Sequence, residues 1–146
     1  MIIQVVCAVI RNADDEILLT RRGPGQHLAG FWELPGGKLE PGESAAGALA
    51  RELREELQLD ARPGHELCRN RHREGERTIE LIALACQTDT RTLRLQVHDQ
   101  FVWANASRAL ELKLAPADVP LLKHLRQTER APPPPGKNSS HERARK

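Results

Sequence analysis

Three glutamates on one expected helix, with two adjacent glycines ahead of them, constrain this chain more than any other feature. The stretch AAGALARELREELQL, residues 45–59, places Ala46, Leu49, Ala50, Leu53 and Leu57 at helical spacing. A helix from about Ser44 to Leu57 is expected, with Ser44 as its N-cap and the apolar stripe against a core. Glu52, Glu55 and Glu56 stand at i, i+3 and i+4, which puts them together beside that stripe. Like charges so placed repel. Arg51 and Arg54 offset part of the repulsion, and a hard divalent cation, which prefers carboxylate oxygens and water, would offset it better. Taken alone, RELREEL also describes a solvated, salt-bridged helix surface. Gly36-Gly37 shifts the balance, because two glycines allow a tight turn with close backbone approach. Glu43 lies just before Ser44. A turn, one more carboxylate and an acidic helix face are expected to converge on one site.

Around this segment the pattern is that of a mixed domain. Residues 2–10 (IIQVVCAVI) are rich in β-branched residues and read as a buried strand. A polar turn at 12–15 separates them from a second strand at 16–20, so a hairpin is expected. Residues 21–30 form a loop, and 31–35 lead into the Gly36-Gly37 turn. Further strands are expected at 77–87, 93–97 and 101–103, a short helix at 107–112 and a last one from about Asp118 to Gln127. Strands before and after a central helix indicate an α/β domain over residues 1–130. Residues 131–146 (APPPPGKNSSHERARK) combine a proline run with small polar and basic residues, and are expected to be a disordered, solvated tail.

Composition excludes several classes. With 146 residues the chain is one domain's worth, and 39% hydrophobic with 29% charged residues is ordinary for a globular protein. A formal charge of +2 gives no ground for stable nucleic-acid or membrane binding. Cys7, Cys68 and Cys86 are odd in number and form no CxxC pair, which speaks against a disulfide framework or structural zinc. No apolar run approaches the roughly 20 residues of a membrane span. The start, MIIQVVCAVIRN, has no basic region before its short apolar run. A cytoplasmic monomer is the expectation.

The spacing of the central motif carries a resemblance. Gly37, five residues, Glu43, seven residues, Arg51-Glu52-Leu53, one residue, Glu55-Glu56, one residue and Gln58-Leu59 closely resembles the Nudix box. The resemblance implies the Nudix fold, a mixed β-sheet sandwiched between helices (an α/β/α sandwich). It implies that Glu52, Glu55 and Glu56 hold Mg²⁺, or Mn²⁺ as a substitute, helped by the carbonyl of Gly36. Arg51 would orient the carboxylates through an ion pair, and Glu52 would polarise the attacking water. Members of the family hydrolyse nucleoside diphosphates linked to a further group. The box has a glycine where this chain has Gln58. That departure bears on the helix exit and not on the metal chemistry.

The resemblance extends over roughly residues 1–128, to MutT-type 8-oxo-dGTP diphosphatases and to CTP pyrophosphohydrolases. TRRGPGQHLAGFWELPGGKLEPGE resembles the former. There Arg22 and His27 match nucleotide-contacting positions, and Glu33, Leu34, Pro35 and Gly36 match the loop near base and metal. Arg22 can chelate phosphate oxygens and His27 can donate to phosphate or sugar, although each also reads as a solvated loop residue. LAPADVPLLKHL resembles the latter branch. It puts Asp118 at the base-recognising position, which is asparagine in the MutT type. Asparagine both donates and accepts, so it suits O6 and N7–H of 8-oxoguanine. An ionised aspartate only accepts, which suits cytosine N4 or the N–H groups of an oxidised purine. Asp118 is equally a candidate cap for the last helix.

A second departure lies six residues before Trp103. Both branches carry an assisting glutamate there, and this chain has Val97, followed by His98 and Asp99. Asp99 would substitute only if the loop shifts. The chain has no tyrosine, which disfavours the dinucleoside-polyphosphate branch, and the proline of ADP-ribose hydrolases falls near Glu74. No NADH-type or coenzyme-A-type signature is present. The leading expectation is conversion of 8-oxo-dGTP to monophosphate and pyrophosphate. A (d)CTP or 5-substituted dCTP pyrophosphohydrolase is the enzymatic rival. A non-catalytic nucleotide-binding module is the rival of another class, suited by Val97 and opposed by the three intact carboxylates.

Overall fold

A computed structural model describes residues 1–90 and 92–129. The expected tail at 131–146 lies outside these described residues. Strands β1 (Ile2–Ile10), β2 (Ile17–Arg22), β3 (Trp32–Glu33) and β4 (Gly36–Lys38) precede helix α1 (Ala45–Leu57). Strands β5 (Ala61–Glu74), β6 (Arg77–Thr88) and β7 (His98–Ala104) follow, then α2 (Ala106–Ala109), a 3-10 turn at Pro116–Asp118 and α3 (Val119–Thr128). One sheet has the order β4-β1-β6-β5 and the other β3-β2-β7. β1 runs parallel to β6 and antiparallel to β4, so the larger sheet is mixed.

Alternation along β1 explains the layering. Val6, Ala8 and Ile10 pack with Leu49, Leu53 and Leu57 of α1, whereas Cys7 and Val9 pack with Leu121, Leu122 and Leu125 of α3. Successive side chains leave a strand on opposite faces, so an uninterrupted apolar strand has to be covered twice. Helices on both sides of the β-layer give the α/β/α sandwich. Each fully buried leucine of α1 contributes about 1.5–3 kcal/mol. Among the described residues no helix is long and apolar enough to cross a membrane.

Five local expectations are revised. β1 and β2 form no hairpin ladder; they belong to different sheets and meet through the single bridge Arg11–Ile17. Gly36 and Gly37 lie in β4, paired with Cys7 and Val6, and not in a turn. Residues 93–97 are not a strand, although Arg94 and Gln96 donate backbone bonds to the carbonyls of Leu57 and Glu56 at the end of α1. The helix expected at 107–112 is the shorter α2, where Asn105 caps the N–H of Arg108. The buried stripe of α1 uses Ala48 in place of Ala46, which is exposed. The longest strand, β5, had no apolar signal. It is an edge strand with exposed Arg69, Arg71 and Arg73 on one face and half-buried Cys68, Asn70 and His72 on the other. Its Pro63 sits at a register shift, where an edge strand tolerates proline.

Candidate functional site

Helix α1 divides its three glutamates. Glu52 and Glu56, one turn apart, face the β-layer, whereas the Glu55 side chain is 59% exposed and bonds to Arg51. Glu52 rests over the backbone of β4. A Cβ on Gly37 would fall within 2.6 Å of both Glu52 carboxylate oxygens, so only glycine leaves them room. Gly36 is packed as tightly against Val6 of β1. The carboxyl of Glu56 is pushed up to about 8, by burial first, then by the charges of Glu52 and Glu33 and a hydrogen bond with Glu52, with Arg22 opposing. Two carboxylates crowd each other beside a third. Among the described residues no three acidic, histidine or cysteine side chains converge closely enough to hold a metal on their own.

Arg51 organises the edge of this cluster. Its Nε and Nη2 donate to the two oxygens of Glu43 at 2.7 and 2.8 Å, and Nη1 donates to Glu52 at 3.1 Å and Glu55 at 3.3 Å. Nη2 also reaches the carbonyl of Lys38 at 3.2 Å, tying α1 to β4. The guanidinium is held charged well above its ordinary range, chiefly by the bond to Glu43. Glu43 in turn is lowered to about 2, by Arg51 first and then by the backbone N–H of Glu40. Such a planar two-bond pair fixes orientation as well as charge.

Beside the carboxylates opens a cleft of about 120 Å³, lined by Arg22, Glu33, Leu34, Gly36, Gly37 and Asp118 among others. Arg22 donates from Nε to Glu33 at 3.1 Å and from Nη1 to the His27 carbonyl at 3.2 Å. The His27 ring is two-thirds exposed and stands 3.4 Å from Glu74, outside the inner cluster. Asp118 is buried, and its Oδ2 accepts the N–H of Leu34 at 2.9 Å. It makes no capping bond to α3, whose first turn contains Pro120 and so has one N–H fewer to satisfy. Burial, then the charge of Glu33, pushes Asp118 up to about 8, against the Leu34 N–H and Arg22. The carbonyl of Pro35 accepts from Ala8 at 2.8 Å and holds the 33–36 segment on β1. A larger cavity of about 420 Å³ lies elsewhere, lined by Ile10, Leu18, Phe101 and Trp103, and includes none of these carboxylates.

The region of Val97 is resolved by a β-bulge. Arg21 pairs with Gln100, but Arg22 pairs with His98, so Asp99 is the extra residue. Asp99 therefore turns away and receives two bonds from Arg21, at 2.8 and 3.0 Å. Its carboxylate is thus held on the side away from Glu33, and the Val97 carbonyl accepts from Gly23 at 3.0 Å. His98 turns inward instead, and its Nε2 lies 2.9 Å from Glu33. Sequence reasoning missed His98, because only the register of β2 on β7 brings it to Glu33.

Similarity to known proteins agrees with this geometry. The NUDIX domain model matches residues 1–125. The chain is 42% identical over 121 residues to the CTP pyrophosphohydrolase of Escherichia coli K12, covering 83% of this chain and 89% of that protein. It is 46% identical over 55 residues to the 8-oxo-dGTP diphosphatase of the same organism, covering 38% and 43%. The crystal structure of the MutT protein from Methanosarcina mazei Go1 superposes with a TM-score of 0.80 at 28% identity, covering 88% of this chain and 96% of that one. With the motif from Gly37 to Leu59 built around one carboxylate pair and the family model spanning nearly all the described residues, this chain belongs to the Nudix hydrolase family.

Proposed function

We propose that the chain is a magnesium-dependent nucleoside triphosphate pyrophosphohydrolase that sanitises the nucleotide pool, converting 8-oxo-dGTP to 8-oxo-dGMP and pyrophosphate. The observation that carries this reading is the crowded pair Glu52–Glu56 next to a cleft holding both a guanidinium, Arg22, and a buried carboxyl, Asp118. Nudix hydrolases generally use divalent metal ions, and the donor set here is all oxygen, as Mg²⁺ prefers. Two crowded carboxylates suit an ion that takes its remaining ligands from substrate phosphates and water. Glu52, Glu56 and the Gly36 carbonyl would hold Mg²⁺, with Mn²⁺ as a substitute, and Glu55, here bonded outward to Arg51, would join them by rotating its side chain inward. When bound, the cation neutralises phosphate charge and makes water more acidic. Glu52 orients the attacking water and accepts its proton. Arg51 holds Glu52 through Nη1, and Glu43 holds Arg51. Arg22 donates to phosphate oxygens, and His27 contributes at the rim. Leu34 and Pro35 flank the base. The reading places the enzyme in the cytoplasm as a monomer.

Asp118 bears on the base. A carboxyl held protonated at neutral pH has one donor and one acceptor face, as an asparagine does. That favours the O6 and N7–H of 8-oxoguanine. The second reading, a (d)CTP or 5-substituted dCTP pyrophosphohydrolase, is favoured by the similarity to the E. coli CTP pyrophosphohydrolase. An ionised Asp118 would accept from cytosine N4. The test is kcat/KM for 8-oxo-dGTP, dGTP, CTP, dCTP and 5-methyl-dCTP, repeated in Asp118→Asn. If Asp118 reads the base, the variant reorders the substrates. An unchanged order removes it from base recognition. A binding module without catalysis, the reading of another class, predicts no pyrophosphate from any of the five.

A further inference from the structure

His98 is a buried polar side chain that the proposed chemistry leaves unused. Its side chain is 1% exposed. Nε2 faces a Glu33 carboxylate oxygen at 2.9 Å, and with an acceptor opposite, Nε2 is the donor. Nδ1 is deeply buried and meets no hydrogen-bond partner among the described residues. An orphaned polar atom costs stability, and an apolar side chain of similar size would avoid that cost. The backbone invests in this placement too, since the bulge at Asp99 is what sets His98 opposite Arg22.

Glu33 is the link. One of its oxygens takes the bond from His98 and the other takes Arg22 Nε at 3.1 Å. Arg22 is further tied at Nη1 to the His27 carbonyl. With Nε and Nη1 occupied, Nη2, which bonds to no partner among the described residues, is the corner of the guanidinium open to an incoming anion. Remove the histidine, and Glu33 loses one of its two anchors and can swing with Arg22.

We propose that His98 is a positioning residue for nucleotide binding, holding Glu33 and through it setting the direction of Arg22. This rests on the reading of Arg22 as a phosphate-binding residue. A histidine kept only for packing would do as well replaced by leucine.

The experiment is steady-state kinetics with thermal melting on the full chain, using the best substrate of the wild type. His98→Leu is expected to melt no lower than wild type while KM rises about ten-fold and kcat falls by less than about three-fold. His98→Gln, whose amide reaches as far as Nε2, is expected to keep KM within about three-fold of wild type. If His98→Leu does not fold, His98→Asn takes its place, because its amide is too short to reach Glu33. In an Arg22→Ala background the His98 substitution should add less than about two-fold, as it acts through that residue. An unchanged KM in a folded His98→Leu or His98→Asn overturns the proposal, as does equal loss in His98→Gln or an additive effect with Arg22→Ala. An unchanged KM in Arg22→Ala alone overturns the phosphate reading of Arg22 instead.

Discussion

The carboxylate of Glu52 occupies the space that a side chain on Gly37 would fill, with its oxygens 2.5 and 2.6 Å from where that Cβ would sit. The glycine of the motif is thus a seat for the carboxylate, and its freedom to turn is not used, since Gly37 is an ordinary strand residue opposite Val6. Gly37→Ala should displace Glu52 and lower kcat/KM on the order of 10²-fold, the cost of a misplaced reacting group. Mg²⁺ titration of the rate should show weakened activation in the same variant. A Gly37→Ala enzyme with wild-type kinetics would refute this account of the glycine.

Gln58 ends α1 in the left-handed region, at φ 55 and ψ 36, and its N–H bonds to the carbonyls of Arg54 and Leu53. A non-glycine residue there is strained by about 1–2 kcal/mol, partly offset by glycine's greater freedom when unfolded. Gln58→Gly should raise stability by about 0.5–1 kcal/mol in urea unfolding. Its kcat/KM should match wild type, because the exposed side chain touches no part of the cleft.

Asp118 gives stability a pH dependence of known sign. Its folded value near 8 lies far above that of an aspartate in an unfolded chain, about 3.9. The folded state therefore binds the proton more tightly. Its contribution is fully present below about pH 4 and is lost as pH rises toward 8, by at most about 1.4 kcal/mol per pH unit. Asp118→Asn keeps an acceptor for the Leu34 N–H and cannot ionise. Denaturant unfolding from pH 5 to 8.5 should show the wild type losing stability relative to the variant. Parallel curves would contradict the burial argument.

Asp99 is bound to Arg21 on the face away from Glu33, and Arg21 itself lies over the Trp32 ring at 5.9 Å. Asp99→Asn should leave kcat and KM unchanged, measured at saturating and subsaturating Mg²⁺. A large loss of kcat would return Asp99 to the mechanism.

What was legible in the sequence follows the range of the interactions involved. The span of α1, its Ser44 cap and the pairing of Arg51 with the glutamates are local, and the string from Ser44 to Leu57 specifies them. The apolar runs of β1 and β6 announce buried strands. Their parallel pairing, Ile2 with Thr78 through Ile10 with Cys86, joins segments far apart in sequence, so two neighbouring apolar strands looked like a hairpin. β5 was invisible because an edge strand with charged residues has little apolar content to show. Three glutamates on one helix face suggested a three-carboxylate cluster, but Arg51 draws Glu55 outward while Glu52 and Glu56 turn in. The bulge at Asp99, which decides that His98 and not Asp99 meets Glu33, depends on the register of β7 on β2. Composition carries no trace of it.

Cleavage of a nucleoside triphosphate is assigned above to the Glu52–Glu56 pair with a divalent cation. The most direct measurement is release of pyrophosphate, as distinct from orthophosphate, from 8-oxo-dGTP with and without Mg²⁺, in wild type and Glu56→Gln. Pyrophosphate is expected from the wild type only when Mg²⁺ is present, with a rate in Glu56→Gln lower on the order of 10²-fold or more. Release that persists in excess chelator, or a Glu56→Gln rate equal to wild type, would contradict it.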